Sequence, residues 1–365
     1  LSSNIYESPY FFNDLKILFE YFDCNFYFNS VYCAEKVNLG YGPLTLLISF
    51  KNNPEVVSML FAILLIVTFL FFGNKAIELS KYPGIIMMIL VSPPINFVIE
   101  RLNMDFIIML TCLLIFKNYE KNYIPKSLII FCFVLLKLYM VSVLFVLIFI
   151  GLKKEKIKVS LVNFILFLMS IIYLFSVLTS SETMLNKIPN PFGYSWSFGL
   201  VSLSKNLLML LGNTNQMYFY ILLFLLVLLI ILFLYKRNFN LKIDKNDEYM
   251  TYSIISIFVL TGLYANFDYR LALLLPLFLL NKDVIKNKFF DNILILFILS
   301  SSSPYVKNFS LNPFYNLKDF FASSIILVNT ILFIMLLSMG SLVLIRLLFS
   351  ATPKGLDKNN TEFIS

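Results

Sequence analysis

Three charged clusters interrupt a chain that is otherwise strongly apolar: Glu100–Asp105, the isolated Lys137, and Asn266–Arg270. An apolar segment that is short for a membrane crossing follows each cluster. Met104–Phe116, for example, corresponds to about 20 Å of helix, against a hydrocarbon thickness of about 30 Å. Ionisable side chains at such depths are costly unless they face a protein-lined or water-filled cavity. Recessed cations suit phosphate, to which arginine adds bidentate geometry.

The composition identifies the class of protein that must position these clusters. The chain is 59% hydrophobic and 14% charged, whereas soluble domains contain about 25% charged residues. Apolar runs long enough for membrane helices recur at Val56–Gly73, Val159–Thr179 and Met217–Leu234. The sequence therefore predicts an all-α, polytopic transmembrane helical bundle of about eleven membrane segments, several of them short or broken.

Basic residues explain the orientation of this predicted bundle. The formal net charge is +8, and much of it comes from basic groups between apolar segments. No basic stripe with interleaved aromatic residues lies on a polar segment, so nucleic-acid binding is not expected. The positive-inside rule instead assigns the groups to the cytoplasmic face. They are Lys75/Lys81, Lys117–Lys126, Lys153–Lys158, Lys236–Lys245, Lys282–Lys288 and Arg346–Lys358.

Alternation of the segments across the membrane then defines the domains. Residues 1–53 are expected outside, 54–350 form the helical domain with an outer loop at 180–216, and 351–365 form a cytoplasmic tail. A single helix through Ser127–Gly151 would put one of its two flanking basic groups outside. A hairpin with Lys137 near its apex keeps both inside, so we predict the hairpin.

The first outer segment contains further candidate residues. Because it is outside by parity, we expect a transmembrane helix to precede it. Asp14 can cap a helix that starts nearby, and it is also a candidate base. Cys24 and Cys33 can form a disulfide outside the cytoplasm or remain free thiols. Cys112 and Cys132 lie in apolar spans and are expected in the core.

Several chemistries have no support in the sequence. There is no His, which removes Ser-His-Asp catalysis, His-ligated zinc and axial-His haem. No Walker loop or GxGxxG pattern is present, and no metal site is predicted. Carboxylates beside phosphate-binding cations suit group transfer from a lipid phosphate, with a base that deprotonates an acceptor hydroxyl.

Five segments resemble one family. Phe12–Lys16 and Leu39–Pro43 resemble the first outer loop of bacterial GT-C superfamily membrane glycosyltransferases, in the family-87-like polyprenyl-phosphate mannosyltransferase group. Glu100–Asp105 is similar to the Glu-Arg-Gly-Asn-x-Asp element of that group. Lys137–Tyr139 is similar to its Lys-x-Tyr-Pro break, and Asn266–Leu271 to its Asp-Tyr-Arg segment. The resemblance implies a multi-pass cell-membrane protein with an extracytoplasmic active site.

The resemblance also implies the activity, an inverting hexosyl transfer from a polyprenyl-phosphate sugar. Asp14 matches the acidic residue of the first outer loop and is the expected catalytic residue. The expected partners are membrane lipids, the polyprenyl-linked donor and a glycan, lipid or protein acceptor; the need for a divalent metal is left open. The donor phosphate and substrate are expected to bind Glu100, Arg101, Asn103, Asp105, Lys137, Asp268, Tyr269 and Arg270.

Two other functions fit the same residues. An O-antigen-type polymerase or ligase is also polytopic and rich in outer-face arginines. A lipid or solute transporter would bind an anion at the same cations without chemistry. Donor cleavage separates these functions, since a polymerase needs diphosphate-linked oligosaccharides and a transporter cleaves nothing.

Overall fold

The computed structural model describes most of the helical domain. Its described residues are 54–79, 83–92, 95, 104–116, 119–180, 197–201, 203–204, 216–239, 243, 247–263, 266–267, 273–274, 277, 288–300 and 315–350.

Helices dominate this part of the chain, as predicted. In chain order they are α1 (Pro54–Leu79), α2 (Pro83–Leu90), α3 (Met104–Phe116), α4 (Tyr123–Leu136), α5 (Val141–Lys153), α6 (Ile157–Ser180), α7 (Gln216–Lys236), α8 (Glu248–Gly262), α9 (Lys288–Ser300) and α10 (Tyr315–Ser350). A 3₁₀ turn, Leu138–Met140, lies between α4 and α5.

The sequence accounts for where two of these helices end. α3 has the predicted bounds, and Asp105 in its first turn complements the positive end of the helix dipole. α2 ends at Leu90, although apolar residues continue after it. Pro93 and Pro94 follow closely, and proline has no backbone N–H and disfavours helix in the preceding residue.

The chain reverses direction at Lys137. A single helix from Tyr123 to Lys153 would be about 46 Å long. Instead, Lys154 Nζ lies 3.3 Å from Glu120 Oε1, so the start of α4 and the end of α5 lie at the same end of the bundle. The predicted hairpin with Lys137 at its apex is therefore confirmed.

α5 lies at the centre of the described bundle, between α6 and α8, and α10 packs against α8. Two glycines permit the α8–α10 contact. A Cβ at Gly340 would lie 3.0 Å from Val259 Cγ2, and one at Gly262 would lie 3.1 Å from Phe333 Cζ. Such small residues let helix backbones approach closely. The two contacts also show that α8 and α10 run antiparallel.

The outer surface of the bundle is strongly apolar. Among the described residues, Met217–Lys236 and Thr330–Ser350 are long and apolar enough to span a membrane, and five other apolar helices are shorter. Cys112 is buried as expected, but Cys132 is exposed, so its assignment to the core was wrong. It lies on an outward face of α4 beside exposed Leu128 and Ile129. Because the outer surface is also apolar, the hydrophobicity of a residue does not tell whether it is buried or exposed.

One short β-pair departs from the predicted all-α fold. β1 (Ser197–Phe198) and β2 (Asn266–Phe267) are antiparallel, with Ser197 opposite Phe267 and Phe198 opposite Asn266. Strands of this length carry no readable alternation of polar and apolar residues. The pair joins the predicted outer loop to the segment that precedes Asp268.

Candidate functional site

Two of the predicted site residues, Asp105 and Lys137, lie within the described part of the chain. The others lie outside the described residues: Asp14, Glu100, Arg101, Asn103, Asp268, Tyr269, Arg270 and the cysteines Cys24 and Cys33. The site can therefore be built from Asp105, Lys137 and the side chains that contact them.

Lys137 occupies the break between α4 and α5. Its backbone N–H donates to the Phe133 carbonyl at 2.7 Å, and its own carbonyl accepts from the Met140 N–H at 3.0 Å. Its φ of −140° and ψ of 105° are extended and stop α4. Only 8% of the residue is exposed. A cation this enclosed between apolar helices marks a functional position by default.

Asp105 lies beside the same break. It is 1% exposed, and its Oδ1 accepts a hydrogen bond from the Tyr139 hydroxyl. Tyr139, itself half-buried, belongs to the 3₁₀ turn that follows Lys137. The structure thus brings an α3 carboxylate to the turn that directly follows the buried lysine.

Two serines connect this turn to α8. Ser142 Oγ donates to the Tyr139 carbonyl at 2.9 Å. Ser256 Oγ, on α8, donates to the Ser253 carbonyl at 2.7 Å and lies 3.2 Å from Ser142 Oγ. The turn is therefore bonded to α3 through a side chain, and Ser142, which bonds its backbone, contacts α8.

The direction of α8 relates β2 to this end of the bundle. Glu248, at the start of α8, contacts Lys153 at the far end of α5, whereas Ser256 is level with Ser142 near the break. α8 therefore runs toward the end that contains Lys137, and Asn266–Phe267 follow it. Asp268, Tyr269 and Arg270 come directly after these two residues.

An apolar cavity of about 180 Å³ opens between α5, α8 and α10. Its polar lining residues are Ser142 and Ser256, the same serines that connect the turn to α8. Phe145, Val259 and Leu347 are among its apolar lining residues. The cavity thus offers apolar contact beside Ser142, which bonds the turn after Lys137.

The opposite end of the bundle holds an ion-pair network. Glu248 is 7% exposed and contacts Lys153 at 2.6 Å and Lys154 at 3.4 Å. Glu120 contacts Lys154 at 3.3 Å and Lys156 at 3.9 Å. We call these five residues the basic-end network. It joins the loop before α4, the turn after α5 and the start of α8.

Tyr119 extends this end into the core. Its hydroxyl lies 2.5 Å from Ser127 Oγ and donates to Asn163 Oδ1 at 3.2 Å. Its ring packs against Tyr249 at 4.8 Å between centroids. Burial in this loop raises the pKa of Tyr119, so its hydroxyl stays protonated as a donor. These hydrogen bonds join the loop before α4 to α4 and α6 and stabilise this end of the bundle.

The arrangement defines which chemistry the Lys137 end can do. A buried ammonium and a nearby oriented carboxylate can bind an anionic group and a hydroxyl. In the described part of the chain, no group of three or more His, Cys, Asp and Glu side chains is placed to hold a metal ion.

No protein-family profile, curated protein or solved structure matches the chain.

Sequence reasoning assigned no role to Tyr139, Glu120 or Glu248. Tyr139 lies two positions after Lys137 in the quoted break, which is a signal that could have included it. Glu120 and Glu248 are interspersed among basic residues in sequence, and their partners on α5 and the following turn become neighbours only in the folded chain.

Proposed function

We propose that the chain is an integral-membrane glycosyltransferase of the GT-C type, similar to the family-87-like group. It transfers a hexose from a polyprenyl phosphate to an extracytoplasmic acceptor. The observation that supports this most directly is the position of two buried charged residues, Lys137 and Asp105, beside the break between α4 and α5, at the end of the bundle away from the basic-end network.

Membrane embedding explains the surface of the described helices. Large side chains such as Leu60, Phe71 and Ile172 are 63%, 64% and 70% exposed, and apolar exposure of this kind continues along α7. Apolar patches of such extent are typical of surfaces that contact lipid or partners. With the basic-end network in the cytoplasm, as the positive-inside rule requires, Lys137 faces the extracytoplasmic side.

Helix length supports a recessed site. α4 has 14 residues and α5 has 13, which correspond to about 20 Å each, less than the hydrocarbon thickness of about 30 Å. The hairpin therefore enters from the cytoplasm and ends below the outer surface. Irregular backbone at that depth is tolerated where it lines a protein cavity.

The proposed reaction uses the cations for the leaving group. The acceptor oxygen forms a bond with the anomeric carbon while the bond from that carbon to the phosphate oxygen breaks, with inversion. Lys137, together with Arg101 and Arg270, neutralises the departing polyprenyl phosphate. Asp14 takes the acceptor hydroxyl proton. Asp105 and Asp268 orient the cations or bind sugar hydroxyls.

The test is donor cleavage by the purified protein in lipid. Polyprenyl-phosphate sugars are supplied one at a time with an acceptor mixture, and release of polyprenyl phosphate is measured. The proposal expects cleavage of at least one donor. Cleavage only of diphosphate-linked oligosaccharides would support a polymerase or ligase instead. Binding of a polyprenyl phosphate without any cleavage would support a transporter.

A further inference from the structure

We propose that Tyr139 is a positioning residue of this site. Its hydroxyl orients the Asp105 carboxylate, and the same contact fixes the turn that holds Lys137. The inference rests on the proposed function for its activity readout, but its structural consequence can be measured without any substrate.

The hydrogen bond joins two elements that are far apart in the sequence. Asp105 lies in the first turn of α3, and Tyr139 lies in the 3₁₀ turn between α4 and α5. The Tyr139 hydroxyl donates to Asp105 Oδ1, and Asp105 is 1% exposed. Bulk water therefore offers the carboxylate no easy replacement for this donor.

The turn is also fixed through its backbone. The Tyr139 carbonyl accepts from Ser142 Oγ at 2.9 Å, and Ser142 Oγ lies 3.2 Å from Ser256 Oγ on α8. Tyr139 thus has its side chain hydrogen-bonded to α3 and its carbonyl hydrogen-bonded to Ser142 at the start of α5. Bonds to both groups of one residue set the orientation of the turn, and Lys137 lies directly before that turn.

A phenylalanine at this position would keep the ring and remove the donor. The carboxylate would lose one oriented hydrogen bond to a charged group, and the turn would lose its link to α3. Small displacements of a binding group are costly because charged recognition depends on geometry. Tyr139→Phe is therefore expected to weaken donor binding about tenfold to a hundredfold.

Tyr173 provides a matched control. Its hydroxyl donates to the Leu135 carbonyl at 3.3 Å, close to the same break, and it is also half-buried. Tyr173→Phe removes the same atom without touching Asp105. We expect the loss in Tyr139→Phe to fall on donor KM and on the Kd for polyprenyl phosphate, with kcat little changed. Tyr173→Phe should leave all three close to wild type.

A double-mutant cycle with Asp105→Leu tests whether Tyr139 acts through Asp105. If it does, Tyr139→Phe has little further effect once the carboxylate is absent. Equal effects of Tyr139→Phe with and without Asp105 would overturn the inference. A fall in kcat at unchanged donor Kd would also overturn it, because it would make the hydroxyl a participant in the chemical step.

A second measurement needs no donor. 3-Fluorotyrosine is incorporated at Tyr139 or at Tyr173, and the ¹⁹F resonance is recorded with Asp105 present and with Asp105→Leu. The resonance at position 139 should move and the one at position 173 should not. An unmoved resonance at 139 would refute the positioning role. If the resonance moves but the protein cleaves no donor, the positioning role of Tyr139 stands and only the proposed function is rejected.

Discussion

Neutralising Glu248 should lower the free energy of unfolding, because Glu248 joins α8 to the end of α5 in the basic-end network. Glu248 bonds Lys153 at 2.6 Å and lies 3.4 Å from Lys154, and its side chain is 9% exposed. Breaking a buried ion pair costs about 3–5 kcal/mol. The two lysines retain 30% and 20% side-chain exposure and can partly rehydrate. A glutamine also still accepts one hydrogen bond, so we expect Glu248→Gln to cost about 1–3 kcal/mol.

Thermal unfolding in detergent, followed by circular dichroism, measures this loss. A cost of about 1–3 kcal/mol corresponds to a melting temperature lower by roughly 1–4 °C in a protein of 365 residues. Glu155→Gln is the matched control: Glu155 is exposed on the turn after α5 and forms no ion pair among the described residues. It should shift the melting temperature by less than about 0.7 °C. Equal shifts in the two variants, or none in Glu248→Gln, would refute the assigned role of the network.

Three further predictions concern packing, orientation and catalysis. Gly151→Ala should lower stability by about 1–3 kcal/mol, because the new Cβ would lie 3.1 Å from the Ser160 backbone nitrogen. Gly84→Ala is the control and should be neutral or stabilising, since nothing lies within 4 Å of its new Cβ. Equal melting temperatures of the two variants would contradict this prediction. Single cysteines in a protein without its natural four should react with an impermeant thiol reagent in intact cells, and labelling only after permeabilisation would invert the orientation. The positions are Ser181, Asn213 and Asn308. Asp14→Asn should keep donor binding while turnover falls by about 10²–10⁴; full activity in Asp14→Ser would instead indicate a helix cap.

The helices could be predicted because their signals, apolar runs bounded by charged residues, are local in the sequence. The bounds of α3 followed from the charged cluster before it and the basic residues after it. The reversal at Lys137 followed from two basic groups that must share a face. The short β-pair could not be predicted, since two-residue strands depend on neighbours about 70 residues apart, Ser197 and Phe267. The exposed position of Cys132 was not predicted, because the exposed residues around it are as apolar as core residues.

The sequence indicates candidate site residues by their type, but it does not show which side chains contact one another. Lys137 and Asp105 were identifiable because charge is rare in apolar segments. Their relation to Tyr139 required the fold, since the Tyr139–Asp105 hydrogen bond spans 34 positions in sequence. The Lys153–Glu248 pair spans 95. The roles of Glu120 and Glu248 could not be predicted, because the sequence shows where basic residues cluster but not which carboxylates pair with them.

The most direct test of the proposed phosphate site is equilibrium binding of a polyprenyl phosphate to three forms of the purified protein. The forms are wild type, Lys137→Gln and Lys121→Gln, the last an exposed lysine at the opposite end of the bundle. Lys137→Gln should weaken binding by about tenfold to a hundredfold, since one charged hydrogen-bonding partner of the phosphate is lost. Lys121→Gln should bind like wild type. Equal affinities in all three forms, or no binding by wild type, would contradict a donor-phosphate site at Lys137.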